Sequence, residues 1–110
     1  MSRVLVVEDS EPLARLLIQT LQRVGHEATW APSAAAAREQ AEAVEVVLLD
    51  MHLSDGEGQD VVSDLRAAAP GCRVIGVSGA PPTSDVAARF DAFLLKPVAL
   101  DAVLAAITPA

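Results

Sequence analysis

The feature that most constrains this chain is an uninterrupted apolar run that ends in a carboxylate, Val46–Asp50. A run of this length between polar segments is typical of a strand that is buried on both faces. Such strands lie in the middle of parallel sheets, and open α/β sheets place their binding groups at the carboxyl edge. We therefore expect Asp50 to be the last residue of a central strand, or the first residue beyond it.

The rest of the chain alternates between apolar runs and helical patterns. Strict alternation of this kind predicts a parallel sheet with right-handed crossovers and helices on both faces. We expect residues 1–110 to form a single domain with no internal boundary. Predicted strands cover residues 3–7, 26–30, 45–49, 72–77 and 91–95, and predicted helices cover residues 12–24, 34–43, 59–69, 85–89 and 100–107.

Composition narrows the classes of function. Hydrophobic residues make up 52% of the chain but aromatic residues only 3%, so Val, Leu, Ile and Ala must build the core. The net charge of −7 argues against binding of nucleic acid, because affinity for phosphates requires Lys and Arg. It suits a domain that docks on a basic partner.

Cysteine content and the length of apolar runs predict the compartment. The only cysteine, Cys72, rules out an internal disulfide and any zinc site built on several thiolates. Apolar runs fall far short of the ~20 residues of a membrane span. A strand follows the first two residues and leaves no room for a signal peptide. We therefore expect a cytoplasmic protein without a membrane segment.

Polar residues follow four of the five predicted strands. Glu8 and Asp9 follow the first, Asp50 the third, Ser78 the fourth and Lys96 the fifth. Three adjacent carboxylates need a counter-charge, and their oxygen atoms suit Mg²⁺, with Mn²⁺ as the alternative ion. Lys96 can bind an anion and Ser78 can donate a hydrogen bond to it. These are the groups needed to transfer a phosphoryl group to a carboxylate.

Four segments in order give the chain a family resemblance. They are VLVVED at 4–9, VLLDMHLSDG at 47–56, VSG at 77–79 and LLKP at 94–97. Together they resemble the response-regulator receiver domains of two-component signalling over nearly the whole chain. The resemblance implies a flavodoxin-like (βα)5 fold whose five-stranded parallel sheet has the order 2-1-3-4-5.

The resemblance also implies roles in a metal-dependent reaction. Asp50 would accept a phosphoryl group from a sensor histidine kinase or a histidine phosphotransfer protein. Asp9 would ligate Mg²⁺ directly, Glu8 would assist, and the backbone carbonyl of His52 would be a further ligand. The domain would then regulate a downstream partner or pass the phosphate on.

The remaining implied roles concern the response to phosphorylation. Ser78 would bond a phosphoryl oxygen and move towards it, and Phe93 would turn inward as Ser78 moves. Lys96 would pair with Asp50 and then with the phosphoryl group. The peptide bond between Lys96 and Pro97 would be cis.

The chain also departs from the family pattern. Ser54 replaces a common proline, so we expect a less rigid loop after Asp50. The segment between Ser78 and Lys96 is shorter than the family pattern, and the missing residues fall in the fourth helix. That helix belongs to the usual output face, so the chemistry looks intact while the signalling surface looks altered. The residues around Phe93 and the segment Lys96-Pro97-Val98 resemble receivers fused to hybrid histidine kinases.

Three other functions compete with the phospho-accepting switch. One is a degenerate receiver that binds partners without phosphorylation, although all five key residues are present. A second is a phosphatase with an Asp nucleophile, which needs a second acid where this chain has His52. A third is a flavodoxin-like cofactor binder, in which Glu8 and Asp9 would repel the phosphate.

Overall fold

A computed structural model describes residues 2–107, and Met1 and residues 108–110 of the predicted domain lie outside that range. Five parallel strands form one sheet, in which residues 27–31, 3–7, 46–50, 73–78 and 92–95 are neighbours in that order, the 2-1-3-4-5 order that the family resemblance implies. Within residues 2–107, no helix has the length and apolar character needed to cross a membrane. The strands are β1 (Arg3–Val7), β2 (Glu27–Ala31), β3 (Val46–Asp50), β4 (Arg73–Ser78) and β5 (Ala92–Leu95), and the helices are α1 (Glu11–Arg23), α2 (Ala34–Gln40), α3 (Val62–Ala68), α4 (Ser84–Ala87) and α5 (Leu100–Ile107).

The sheet separates two apolar clusters, one on each face. All five residues of β3 are buried, because successive side chains of a central strand point to opposite faces and both faces are covered. One cluster lies under α2 and α3 and the other under α1 and α5. The first contains Leu5, Val47, Leu49, Ala37 and Leu65, and the second contains Val6, Leu48, Leu17, Leu21 and Val103.

Local signals explain where the first two helices begin and end. Pro12 lies in the first turn of α1, and Gly25 follows the helix with a φ of 95°, a conformation that glycine adopts without strain. The Ser33 hydroxyl caps α2 by accepting from the amide of Ala36. The predicted α2 extended to residue 43, but the helix ends at Gln40, and Ala43 has a left-handed φ of 66°.

The prediction was also wrong in the segment after Asp50. The sequence predicts a polar, glycine-containing loop over residues 51–58, followed by one helix over residues 59–69. Instead, His52–Leu53 and Gly56–Glu57 pair as a small antiparallel hairpin, and a 3-10 turn at Gly58–Asp60 precedes α3. The hairpin forms because the amide of Gly58 returns to the carbonyl of Met51 at 2.8 Å. Other boundaries differ from the prediction by one or two residues, the usual uncertainty at element ends.

Gly58 approaches the backbone of Asp50 and Met51 so closely that a side chain would not fit there. A Cβ there would lie 2.4 Å from the backbone oxygen of Asp50 and 3.0 Å from the Cα of Met51. We expect Gly58→Ala to lower the free energy of unfolding by about 1–3 kcal/mol through this overlap. Urea denaturation measures the change. Gly79→Ala is the matched control, since a Cβ at Gly79 meets nothing within 4 Å, and an equal loss there would contradict the argument.

Candidate functional site

Three carboxylates meet where β1 and β3 end. These strands are neighbours in the sheet, with Val7 opposite Leu49, so the residues that follow them are brought together. Glu8 is 3% exposed and Asp50 4% exposed, whereas Asp9 is open to solvent. One oxygen from each of the three carboxylates lies within 4.8 Å of the others. Two buried acids and an all-oxygen donor set fit a hard divalent cation, so this cluster could hold a metal ion.

Lys96 is the positive charge at this cluster and the only lysine of the chain. Its Nζ lies 3.2 Å from Oε1 of Glu8 and 3.7 Å from Oδ2 of Asp50. The backbone amide of Lys96 donates to the carbonyl of Ser78 at 2.8 Å, which continues the pairing of β5 with β4. The Lys96–Pro97 peptide bond that follows is cis. The predicted partner Asp50 is therefore within reach of Lys96, and Glu8, which was not predicted as a partner, lies nearer.

The site keeps the Lys96 ammonium charged. Burial lowers the pKa of Lys96, but its hydrogen bond to Glu8 raises it. The negative charges of Asp50, Glu8 and Asp9 raise it further. The net result is a pKa above the ordinary lysine value of 10.5, so the lysine is a cation at neutral pH.

The carboxylate of Asp50 is held from two sides. Its Oδ1 accepts a hydrogen bond from the backbone amide of His52 at 3.1 Å, and its Oδ2 faces Lys96. The next residue, Met51, donates its amide to the carbonyl of Val77 on β4 at 3.0 Å. Asp50 is therefore a buried carboxylate with a fixed neighbour at each oxygen.

Glu8 is positioned by contacts that the sequence did not indicate. Its Oε2 accepts from the amide of Ser10 at 3.1 Å. Its backbone amide donates to Ala31 at 3.1 Å, and its carbonyl accepts the indole N–H of Trp30 at 2.6 Å. The sequence suggested only packing for Trp30. A hydrogen bond between neighbouring strands, 22 positions apart, leaves no local pattern from which it could be predicted.

Ser78 and Phe93 line a shallow pocket next to Asp50. The pocket measures about 180 Å³ and also contacts His52 and Ala80. Ser78 is 4% exposed, and its Oγ accepts from the amide of Ala80 at 3.3 Å. The structure thus brings Ser78 to the predicted edge and places Phe93 beside it.

The Phe93 ring occupies space that Gly76 leaves free on β4. A Cβ at Gly76 would lie 2.6 Å from Cε2 of Phe93. Phe90 meets Phe93 edge to face, with ring centres 5.6 Å apart and planes at 88°. The Phe93 ring is therefore partly buried, because it packs over Gly76 and against the ring of Phe90.

The His52 side chain is exposed and contacts the small hairpin, whereas the His52 backbone contacts Asp50. Its Nδ1 lies 3.3 Å from Oε2 of Glu57 across the small hairpin. The backbone amide of His52 contacts Asp50, as described above. The role of its carbonyl as a metal ligand stays a prediction.

Comparison with known proteins supports the resemblance found in the sequence. Residues 4–108 match the family model for the response regulator receiver domain. The photosynthetic apparatus regulatory protein RegA of Rhodovulum sulfidophilum is 32% identical over 94% of this chain and 60% of its own length. A putative transcriptional regulator of Haloferax volcanii is 36% identical over 86% of this chain. The chain spans 17% to 60% of the length of the curated relatives it matches.

Solved structures show the same fold. A response regulator protein from Burkholderia pseudomallei, crystallised with a phosphorylated aspartic acid, calcium ion and citrate, matches with a TM-score of 0.88 and 26% identity, over 99% of this chain and 68% of that chain. A CheY-like response regulator receiver domain protein from Methanospirillum hungatei matches with a TM-score of 0.85 and 25% identity, over 94% of this chain and 88% of that chain.

Replacing Lys96 tests the electrostatic balance of the site. Its folded-state pKa is raised, so its contribution to stability is complete below the unfolded value of 10.5 and is lost as pH rises through the folded value. We expect Lys96→Met to be less stable at pH 7 by about 1–3 kcal/mol, because Glu8 and Asp50 lose their counter-charge. The difference from the wild type should shrink above pH 10.5.

Urea denaturation of both proteins between pH 7 and pH 12 measures this difference. The chain has no tyrosine, and Cys72, whose pKa is raised by burial, titrates equally in both proteins. A stability difference that does not change with pH would contradict the assignment of the ion pair.

Proposed function

Because the chain belongs to the response regulator receiver domain family, we propose that it is a phospho-accepting signalling switch in which Asp50 takes a phosphoryl group from a phosphohistidine. The observation that supports this most directly is the buried carboxylate of Asp50, which faces Lys96 and lies beside Glu8 and Asp9. This arrangement supplies an acid nucleophile and a cation for the transferred charge.

The transfer exchanges one bond to phosphorus for another. An oxygen of Asp50 attacks the phosphorus, the P–N bond to the donor imidazole breaks, and the imidazole leaves with the bonding electron pair and is protonated. The product on this chain is an acyl phosphate. Lys96, already 3.7 Å from Oδ2 of Asp50, then pairs with a phosphoryl oxygen. Its raised pKa keeps it protonated for this role.

We propose that the cation is Mg²⁺, with Mn²⁺ able to replace it. Asp9, Glu8, Asp50 and the backbone carbonyl of His52 would hold it, and their oxygens are the donors that these ions prefer. When bound, the cation neutralises charge on the phosphoryl oxygens. Lys96 contacts both Glu8 and Asp50, so it would keep its contact with Asp50 when Glu8 serves as a metal ligand.

Ser78 and Phe93 are proposed to respond to the new group. The Ser78 hydroxyl would exchange the amide of Ala80 for a phosphoryl oxygen and move towards Asp50. Phe93 shares a pocket with Ser78 and would follow this movement. Reversal occurs when water attacks the acyl phosphate, and the Ala80 side chain offers no charge to orient that water.

The phosphodonor is proposed to be a sensor histidine kinase or a histidine phosphotransfer protein, acting in the cytoplasm. The negative net charge of this chain suits a basic surface on a partner. Since the chain spans only part of its curated relatives, its output belongs to a partner protein, a further phosphotransfer step or another part of a longer chain.

Phosphorylation at Asp50 can be tested with a small donor. Incubation with Mg²⁺ and acetyl phosphate should add about 80 Da to the intact protein. We expect no adduct with Asp50→Asn, and none when EDTA replaces Mg²⁺. Asp60→Asn is the matched control, since this acid is exposed and lies outside the cluster, and it should react like the wild type.

Two results would contradict the proposal. An adduct that persists in Asp50→Asn would place the phosphoryl group on another residue. A wild-type protein that binds Mg²⁺ but forms no adduct would favour the alternative, a degenerate receiver that binds its partner without phosphorylation.

The Ser78 hydroxyl can be tested in the same assay. Ser78→Ala removes a donor to the transferring phosphoryl group, and we expect adduct formation to slow by roughly tenfold or more. Ser63→Ala, at an exposed serine of α3, is the control and should keep the wild-type rate. An unchanged rate in Ser78→Ala would remove Ser78 from the reaction.

A further inference from the structure

The loop between β3 and α3 is held at its base by backbone contacts, next to the acidic cluster of Glu8, Asp9 and Asp50. The amide of Gly58 donates to the carbonyl of Met51 at 2.8 Å, and Gly58 packs against the backbone of Asp50. Two residue pairs, His52 with Glu57 and Leu53 with Gly56, extend the loop away from this base as the small hairpin. A hairpin of this length has little stability of its own in water.

The tip of the same loop is hydrogen-bonded to the start of α2. Oδ1 of Asp55 accepts the backbone amide of Ala34 at 2.8 Å, and Oδ2 accepts that of Ala35 at 3.1 Å. These amides open α2 and have no partner within the helix. The two hydrogen bonds lower the pKa of Asp55, in accord with a carboxylate held in its charged form. One side chain therefore connects the loop to α2 over 20 or more positions of sequence.

Leu53 anchors one side of the hairpin in the apolar cluster under α2 and α3, whereas residues 54–57 beyond it are exposed. Ser54 precedes Asp55, and Gly56 follows it with a φ of 152°, a conformation that few other residues adopt. His52 lies three positions before Asp55. The backbone amide of His52 donates to Asp50, and the backbone carbonyl of His52 is the proposed metal ligand. A change in the tilt of the hairpin would therefore move this carbonyl relative to the carboxylates.

We infer that Asp55 is a positioning residue that holds the hairpin against α2, fixes the carbonyl of His52 beside the acidic cluster and so sets the affinity of the site for Mg²⁺. The inference rests on the proposed metal site and deepens it. It assigns to Asp55 a role outside the direct contacts of the reaction. The competing explanation is that Asp55 only stabilises α2 as one of its N-terminal caps.

A variant at Ser33 distinguishes the positioning role of Asp55 from a role as a helix cap alone. The Oγ of Ser33 accepts the amide of Ala36 at 3.1 Å, so Ser33 caps the same first turn of α2 as Asp55 but does not contact the hairpin. Ser33→Ala and Asp55→Ala both weaken the cap, and only Asp55→Ala also releases the hairpin. Asp55→Asn is the conservative variant, because its amide oxygen can still accept from Ala34.

The experiment measures the Mg²⁺ Kd of the four full-length proteins by calorimetric titration. We expect Asp55→Ala to raise Kd about three- to tenfold, Asp55→Asn to fall between it and the wild type, and Ser33→Ala to stay within about twofold of the wild type. Hydrogen exchange without metal should show faster exchange of the amides of residues 52–57 in Asp55→Ala than in Ser33→Ala. Both readouts are independent of phosphorylation.

Two outcomes would overturn the inference. One is a Ser33→Ala Kd raised as much as that of Asp55→Ala, and the other is a wild-type Kd in both Asp55 variants. The phosphoryl adduct on the wild type is measured in parallel. If the wild type forms the adduct and all variants have equal Kd values, the proposed function stands and the role of Asp55 does not. If the Kd values rank as expected but no adduct forms, the role of Asp55 stands and the proposed function does not.

Discussion

The site depends on the ion pair that Lys96 makes with Glu8 and Asp50. Two buried carboxylates on neighbouring strands repel each other and lose hydration, so an uncompensated pair would oppose folding of the sheet edge. The compensating charge comes from the end of β5, two strands away from β3, and it is the only lysine available. The register of all these strands must therefore be correct before the acids are neutralised, which couples formation of the site to formation of the sheet.

Backbone contacts fix the site as much as charge does. Parallel pairing aligns the carboxyl ends of β1, β3 and β4, which places Glu8, Asp50 and Ser78 at one edge. The carbonyl of Glu8 is then held by the indole of Trp30, and the carboxylate of Asp50 by the amide of His52. The contacts of the fold thus fix the positions of both acids, and the reaction proposed above would require little reorganisation of them.

The sequence predicted those parts of the site that depend on strand ends. Apolar runs located the five strands, and the residues that follow them gave Glu8, Asp9 and Lys96 without any knowledge of distances. The pairing of residues 52–57, the cap that Asp55 provides and the hydrogen bond of Trp30 were not predicted. The two hydrogen bonds of Asp55 and the one of Trp30 join side chains to backbone groups 20 or more positions away, and such contacts leave neither periodicity nor a local motif.

The short fourth helix changes what supports the predicted switch residues. None of the four residues of α4 is fully buried, and Val86 is partly buried against the apolar cluster under α2 and α3. The segment is also held by Phe90, which packs against Phe93, and by Arg66 of α3, which donates to the carbonyl of Arg89 at 2.9 Å and to Asp91 at 3.2 Å. Phe93 also lines the pocket beside Ser78, so the aromatic pair connects this pocket to the segment that follows α4.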